Sequence, residues 1–162
     1  MTSKWARLAL VALILIMPAL LWATKLEPMK SMSAFALATN AFFYRAMHIF
    51  GSWLFLIEGQ KLRRNWDMAV GIGMGFILIF DMYNFKMLHD GFTAATMLLA
   101  NISILRYSDK KNLPVNIVLA LVADLFFILG LATDIHLFLA EMIAMFCIAV
   151  SRARRIFIHE NA

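Results

Sequence analysis

The placement of positive charge between apolar runs limits this chain more than any other feature. Six apolar stretches, at about 8–23, 37–57, 68–83, 91–105, 114–131 and 135–150, are separated by short polar segments. Lys4 and Arg7 precede the first stretch, and Lys61, Arg63 and Arg64 follow the second. Arg106, Lys110 and Lys111 follow the fourth, and Arg152, Arg154 and Arg155 follow the sixth. Of the remaining basic residues, Lys25, Lys30 and Lys86 fall in odd-numbered loops, and Arg45 lies inside a stretch. Basic loops stay on the cytoplasmic side of a membrane. The pattern therefore predicts an all-α, polytopic membrane helix bundle with six transmembrane helices and both termini cytoplasmic.

Composition agrees with that expectation. Of the 162 residues, 63% are apolar, and the mean hydropathy is +0.79. A bilayer core asks for about 20 apolar residues per helix, and several of these stretches are shorter. Polar residues are then expected at the outer helix ends, or the bundle sits in a thin membrane. Six helices use nearly the whole chain, so 1–162 reads as a single transmembrane domain, in a bacterial inner membrane or a eukaryotic membrane. The net charge of +5 belongs to the cytoplasmic loops and anionic headgroups, not to nucleic acid. Lone Cys147 excludes an intramolecular disulfide. Lys4 and Arg7 before a long apolar run also fit a signal peptide, whose removal would leave five spans.

Span two carries Ala41, Arg45, His48 and Ser52 at three- and four-residue spacing, which predicts one polar face. Span three holds Gly71 and Gly75 as a GxxxG pair, which favours close helix approach and offers a surface for a second copy. No strand surrounds these glycines, so they are not a nucleotide fingerprint. Span five carries Asn116 near its inner end and Asp124 near mid-membrane, where a carboxylate is expected to be protonated or to hydrogen-bond to a neighbouring helix.

An antiparallel order places Arg45, His48, Asp81, Asn84, His89, Asp90, Asp134, His136 and Glu141 in or above the outer leaflet. Ionisable groups inside a span are costly and usually face the interior, so Arg45 and Glu141 are expected to pair. A lipid-headgroup pocket follows, with Arg45 as the anion contact and His48, Asp81, Asn84, His89, Asp90 and Glu141 completing it. Membrane lipids are the expected partners, with a membrane-protein partner or a homo-oligomer also open. A zinc hydrolase is the enzymatic alternative, with His48, His89 and His136 as metal ligands and an acid as general base. A b-type haem between His48 and His89 or His136 is the second alternative. Each group also has a plain structural role open to it: ion-pair glue for Arg45 and Glu141, a helix start for His89-Asp90-Gly91, and turn residues for Asp134 and His136.

The stretch Asn84-Phe85 followed by Leu88-His89-Asp90-Gly91-Phe92 resembles the DRAM-like group of membrane proteins, as does a last span opening on Ala140-Glu141 and ending in a basic tail. The resemblance covers about fifteen residues and departs at Met142, where that group commonly has an aromatic. It implies a role in lipid handling: GPI-anchor lipid remodelling, sterol or phospholipid distribution, or lysosome-linked autophagy signalling. His89, Asp90 and Glu141 are the positions it carries over. The late-span histidine pair of ceramidase-like membrane hydrolases is missing.

Overall fold

Among the described residues, six helices form at the six apolar runs, and several continue past them into charged sequence. The computed structural model describes residues 3–23, 41–80, 84–133 and 137–159. Its helices are α1 (Lys4–Ala23), α2 (Ala41–Leu62), α3 (Asn65–Ile79), α4 (Lys86–Arg106), α5 (Leu113–Thr133) and α6 (Leu137–His159), with no strand among the described residues. Helical hydrogen bonding does not stop at the first charge, because Lys, Arg and Glu are good helix formers. Consequently α1 starts at Lys4 rather than residue 8, α2 runs to Leu62 rather than 57, and α6 runs to His159 rather than 150. Arg7, Glu58, Arg152 and Arg155 therefore stand on helix faces, not in loops.

The helices close into a ring. α1 packs on α2 and α6, α2 on α3, α3 on α4, α4 on α5, and α5 on α6, with α4 also touching α6. Lys4 Nζ lies 4.9 Å from the ring centroid of Phe157, so the start of α1 and the end of α6 share one end of the bundle. Arg7 pairs with Glu58 of α2, and Asp67 of α3 pairs with Arg152 of α6. The basic groups thus gather at one end, as antiparallel succession requires.

The α2–α3 connection is unusually tight. Arg64 N–H donates to Gly59 C=O at 2.7 Å and Arg63 N–H to Gln60 C=O at 3.4 Å, the paired bonds of a Schellman helix end. Arg63 occupies the left-handed position at φ 52°, where glycine is favoured. This two-residue reversal sets Asp67 in the first turn of α3. A little further along, Gly71 presses on α2: a Cβ there would lie 2.7 Å from Leu56 Cγ and 2.9 Å from the Ser52 carbonyl oxygen. Ser52 Oγ donates to the Gly71 carbonyl at 2.8 Å. Gly75 has nothing within 4 Å. Of the GxxxG pair, Gly71 is thus used inside the chain and Gly75 faces open space.

Between α4 and α5, Asn101 Nδ2 donates to Asp124 Oδ1, the cross-helix bond expected for Asp124. Among the described residues one helix, α5, is long and apolar enough to cross a membrane, through an 18-residue window at Leu113–Gly130 of mean hydropathy 2.3. α3 is apolar but shorter, at 15 residues. Large apolar side chains are turned outward on every helix, among them Phe42, Trp53, Ile72, Leu98, Leu121, Leu125, Ile128 and Phe146.

Candidate functional site

The middle of the ring is not filled. A cavity of about 100 Å³ lies there, with walls from all six helices. Most of the wall is apolar: Val11, Ile14, Met47, Leu54, Val70 and Met74 are examples. Small side chains keep it open, since Gly51, Ala100 and Ala149 line it where larger residues would fill it. Its polar lining residues are Tyr44, His48, Thr93, Thr96, Glu141 and Arg152. His48 and Glu141 lie toward the end opposite the basic groups, and Arg152 lies at the basic end. Glu141 and Arg152 are eleven positions apart on one helix, a rise of about 16 Å.

His48 Nδ1 lies 3.0 Å from the Tyr44 carbonyl oxygen, one turn back. A carbonyl only accepts, so Nδ1 carries the hydrogen and, in the neutral ring, Nε2 keeps a lone pair. His89 is engaged differently. Its Nδ1 lies 2.9 Å from the Phe80 carbonyl oxygen and 3.2 Å from that of Ile77. These are carbonyls at the C-terminal end of α3, the groups that a helix leaves without intrahelical partners. His89 is therefore a buried cap joining α4 to α3, and it does not line the cavity. Stacking of Phe92 on Phe76 and Phe80, at 4.9 and 5.3 Å, holds the same two helix ends together.

The expected outer-leaflet pocket is thus only partly assembled. His48 and Glu141 meet the cavity, but Arg45 is exposed on the Phe42, Ile49 and Trp53 face of α2. The expected Arg45–Glu141 pair does not form among the described residues. The helical reason is angular: the face of α2 that packs inward is Tyr44, Met47, His48, Gly51, Phe55 and Glu58, and Arg45 lies off it. Asp90 is exposed and pairs with Lys86 at 2.6 Å, one turn back on α4. Asn84 is exposed in the turn before α4. Asp81, Asp134 and His136 lie outside the described residues.

Among the described residues, no three His, Cys, Asp or Glu side chains gather to hold a metal. His48 and His89 do not come with a third ligand there, and His136 falls outside. A cavity of about 100 Å³ is smaller than the roughly 150 Å³ apolar cavity that admits benzene. A porphyrin does not fit, so the haem alternative finds no room in this interior.

The densest polar group is at the basic end, where the sequence reading saw only orientation signals. Asp67 is fully buried. Its Oδ1 accepts from Arg152 Nη2 at 2.5 Å, from Arg155 Nη2 at 3.3 Å, and from Ser103 Oγ. Glu58, also fully buried, accepts from Arg7 Nη1. Arg152 lies flat on Phe55, its Cζ 3.8 Å from the ring centroid, a cation–π contact strengthened by desolvation. Burial pulls the Arg152 guanidinium below its usual range, opposed by Asp67 and Glu58. An arginine stays protonated through such a shift, so the charge remains inside. Nearby, Asn116, Ser108 and Ser151 link the α4–α5 turn to α6, and Arg154 Nη2 donates to Asn112 Oδ1 at 2.6 Å.

The signal for this network was in the sequence. Glu58 and Asp67 are the acids that flank the basic group Lys61, Arg63 and Arg64, and Arg152 and Arg155 are three apart, hence on one helix face. The chain matches no family model, no curated protein and no solved structure.

Proposed function

We propose that this chain is a six-span membrane protein, with its basic end in the cytoplasm, that takes the end of an amphiphile's chain into its central cavity. The observation that carries the reading is the cavity itself: a mostly apolar space between helices, with polar side chains in its wall, inside a bundle whose helices also turn large apolar side chains outward. Exposed apolar area on this scale marks membrane or partner contact rather than water. Buried charge at one end and histidine and glutamate toward the other match a ligand with polar and apolar parts. The lipid-handling role implied by the DRAM-like resemblance is of the same class. Arg45, outside the cavity, is suited to reach headgroups along its aliphatic stem.

About 100 Å³, less than the cavity that admits benzene, takes the end of one slender chain and neither a two-chain lipid nor a sterol ring system. The test is native mass spectrometry and lipid extraction of the detergent-purified protein, wild type beside Ala149→Leu. Wild type should retain a single-chain amphiphile at up to one per protein, and Ala149→Leu, which fills the cavity, should retain less. Equal retention by both, or none by wild type after addition of single-chain lipids, would sink the cavity reading. Membrane placement is checked separately: a reporter fused after Ala162 should read cytoplasmic, and an external signal would invert the bundle.

A further inference from the structure

Sulfur is concentrated in the cavity wall. Met47 of α2, Met74 of α3, Met97 of α4 and Met145 of α6 all line it, and His48 stands beside them. Zinc sites draw on thiolate, imidazole and carboxylate. Thioethers with an imidazole are a softer donor set, and that set suits Cu(I). Three of the methionines stand at one depth. Asp67 on α3, Ser103 on α4 and Arg152 on α6 are joined by hydrogen bonds and mark one level of the bundle. Met74 is seven positions after Asp67, Met97 six before Ser103, and Met145 seven before Arg152. At a rise of about 1.5 Å per residue, all three lie roughly 9–11 Å from that level, on the side away from the basic end. The layer touches α2 at Gly51, where a Cβ would lie 2.9 Å from Met74 Sδ. His48 is one turn from Gly51 on the same inward face of α2.

The state of His48 is an independent observation. Its Nδ1–H is engaged by the Tyr44 carbonyl, and no bond among the described residues uses Nε2. A metal-ligating histidine almost always donates its other ring N–H to a carbonyl, carboxylate or water, which fixes the tautomer and aims the lone pair. Methionine is also a common filler of core gaps, but these methionines border open space from four helices. We propose that Met74, Met97 and Met145, with His48 one turn beyond them, hold a single Cu(I) ion in the central cavity. A volume of about 100 Å³ is ample for one ion. Glu141 lines the same wall one turn before Met145 and puts a carboxyl near the cation. The site goes beyond the amphiphile reading and does not rest on it. An ion and a chain end would compete for the same space.

The experiment titrates the detergent-purified protein against Cu(I) held under argon as its bicinchoninate complex, whose fading colour counts the ions withdrawn. Wild type should take up a single ion per chain. Met74→Leu and Met145→Leu conserve volume, and each should bind at least about tenfold more weakly, since even outer-shell losses cost about 10–100-fold in metal affinity. Met142→Leu, which is off the cavity wall, should bind as wild type does. Should a variant fail to fold by far-UV circular dichroism, Met97→Leu, at a part-buried position, takes its place and should show the same weakening. Cys147→Ala should keep the ion, because the thiol is outside the proposed set. No uptake by wild type would overturn the site and leave the amphiphile reading standing. Undiminished uptake by the methionine variants, or loss of uptake in Cys147→Ala, would overturn it as well.

Discussion

Asp67→Ala is the substitution with the largest consequence. The carboxylate is fully buried and joins three helices, accepting from Ser103 on α4 and from Arg152 and Arg155 on α6. Without it, Arg152 remains at 1% exposure with its main counter-charge gone. Removing one partner of a buried pair costs about 3–5 kcal/mol, against a total stability of about 5–15 kcal/mol. At about 2–4 °C per kcal/mol for a chain of this size, the melting temperature should fall by about 6–20 °C. Asp67→Leu combined with Arg152→Met removes the charge and its partner together and keeps a polarizable side chain over Phe55. Arg155 is only part-buried and can turn to solvent. The double variant should therefore cost well under the sum of the singles, with a coupling near the upper end of the usual 0.5–3 kcal/mol. SDS titration in mixed micelles, followed by far-UV circular dichroism, gives all four corners of the cycle. Additivity within about 0.5 kcal/mol would show that Asp67 and Arg152 do not depend on each other, and the network described above would be wrong.

Three other outcomes are expected. Gly71→Val forces a side chain into Leu56 and the Ser52 carbonyl and should cost about 1–3 kcal/mol, while Gly75→Ala, facing open space, should be neutral or gain up to about 1 kcal/mol of helix propensity; the same SDS titration compares them, and similar effects would contradict the α2–α3 approach. His89→Ala should cost about 1–3 kcal/mol through the uncapped carbonyls of Phe80 and Ile77 and leave metal content by plasma emission unchanged; loss of bound metal would make His89 a ligand. Arg45→Ala should shift stability by less than about 0.5 kcal/mol, as at other exposed sites, and a thermal melt showing severe loss would restore its pairing with Glu141.

The helices were legible because apolar runs and breakers report local structure directly. Their ends were not, and that error moved the site. Arg7, Arg152 and Arg155 looked like loop charges because the apolar runs stop at residues 8 and 150. Helix continuation turns those same residues inward, onto Glu58 and Asp67. Hydropathy tells where a span can be, while hydrogen bonding tells where a helix ends, and only the second decides which way a terminal arginine faces. The reverse error befell Arg45. It shares a three- and four-residue rhythm with His48, but spacing defines a face without saying which face is inward. Tyr44, Met47, Gly51 and Phe55 settled that, through packing against α1 and α3 that no one-helix pattern contains.

The same residues can orient a chain in a membrane and hold its helices together, and under the proposed reading the two uses are physically linked. Positive charge accumulates on the cytoplasmic side for reasons of insertion. Once helices extend through it and close into a ring, some of that charge is trapped inside. Two acids on α2 and α3 neutralise part of it. Arg152 lines the cavity and packs on Phe55, and Arg155 lies part-buried beside Asp67. Asp67 and Arg152 are each other's counter-charge inside the ring, which is why replacing both together tests the arrangement more sharply than any single substitution.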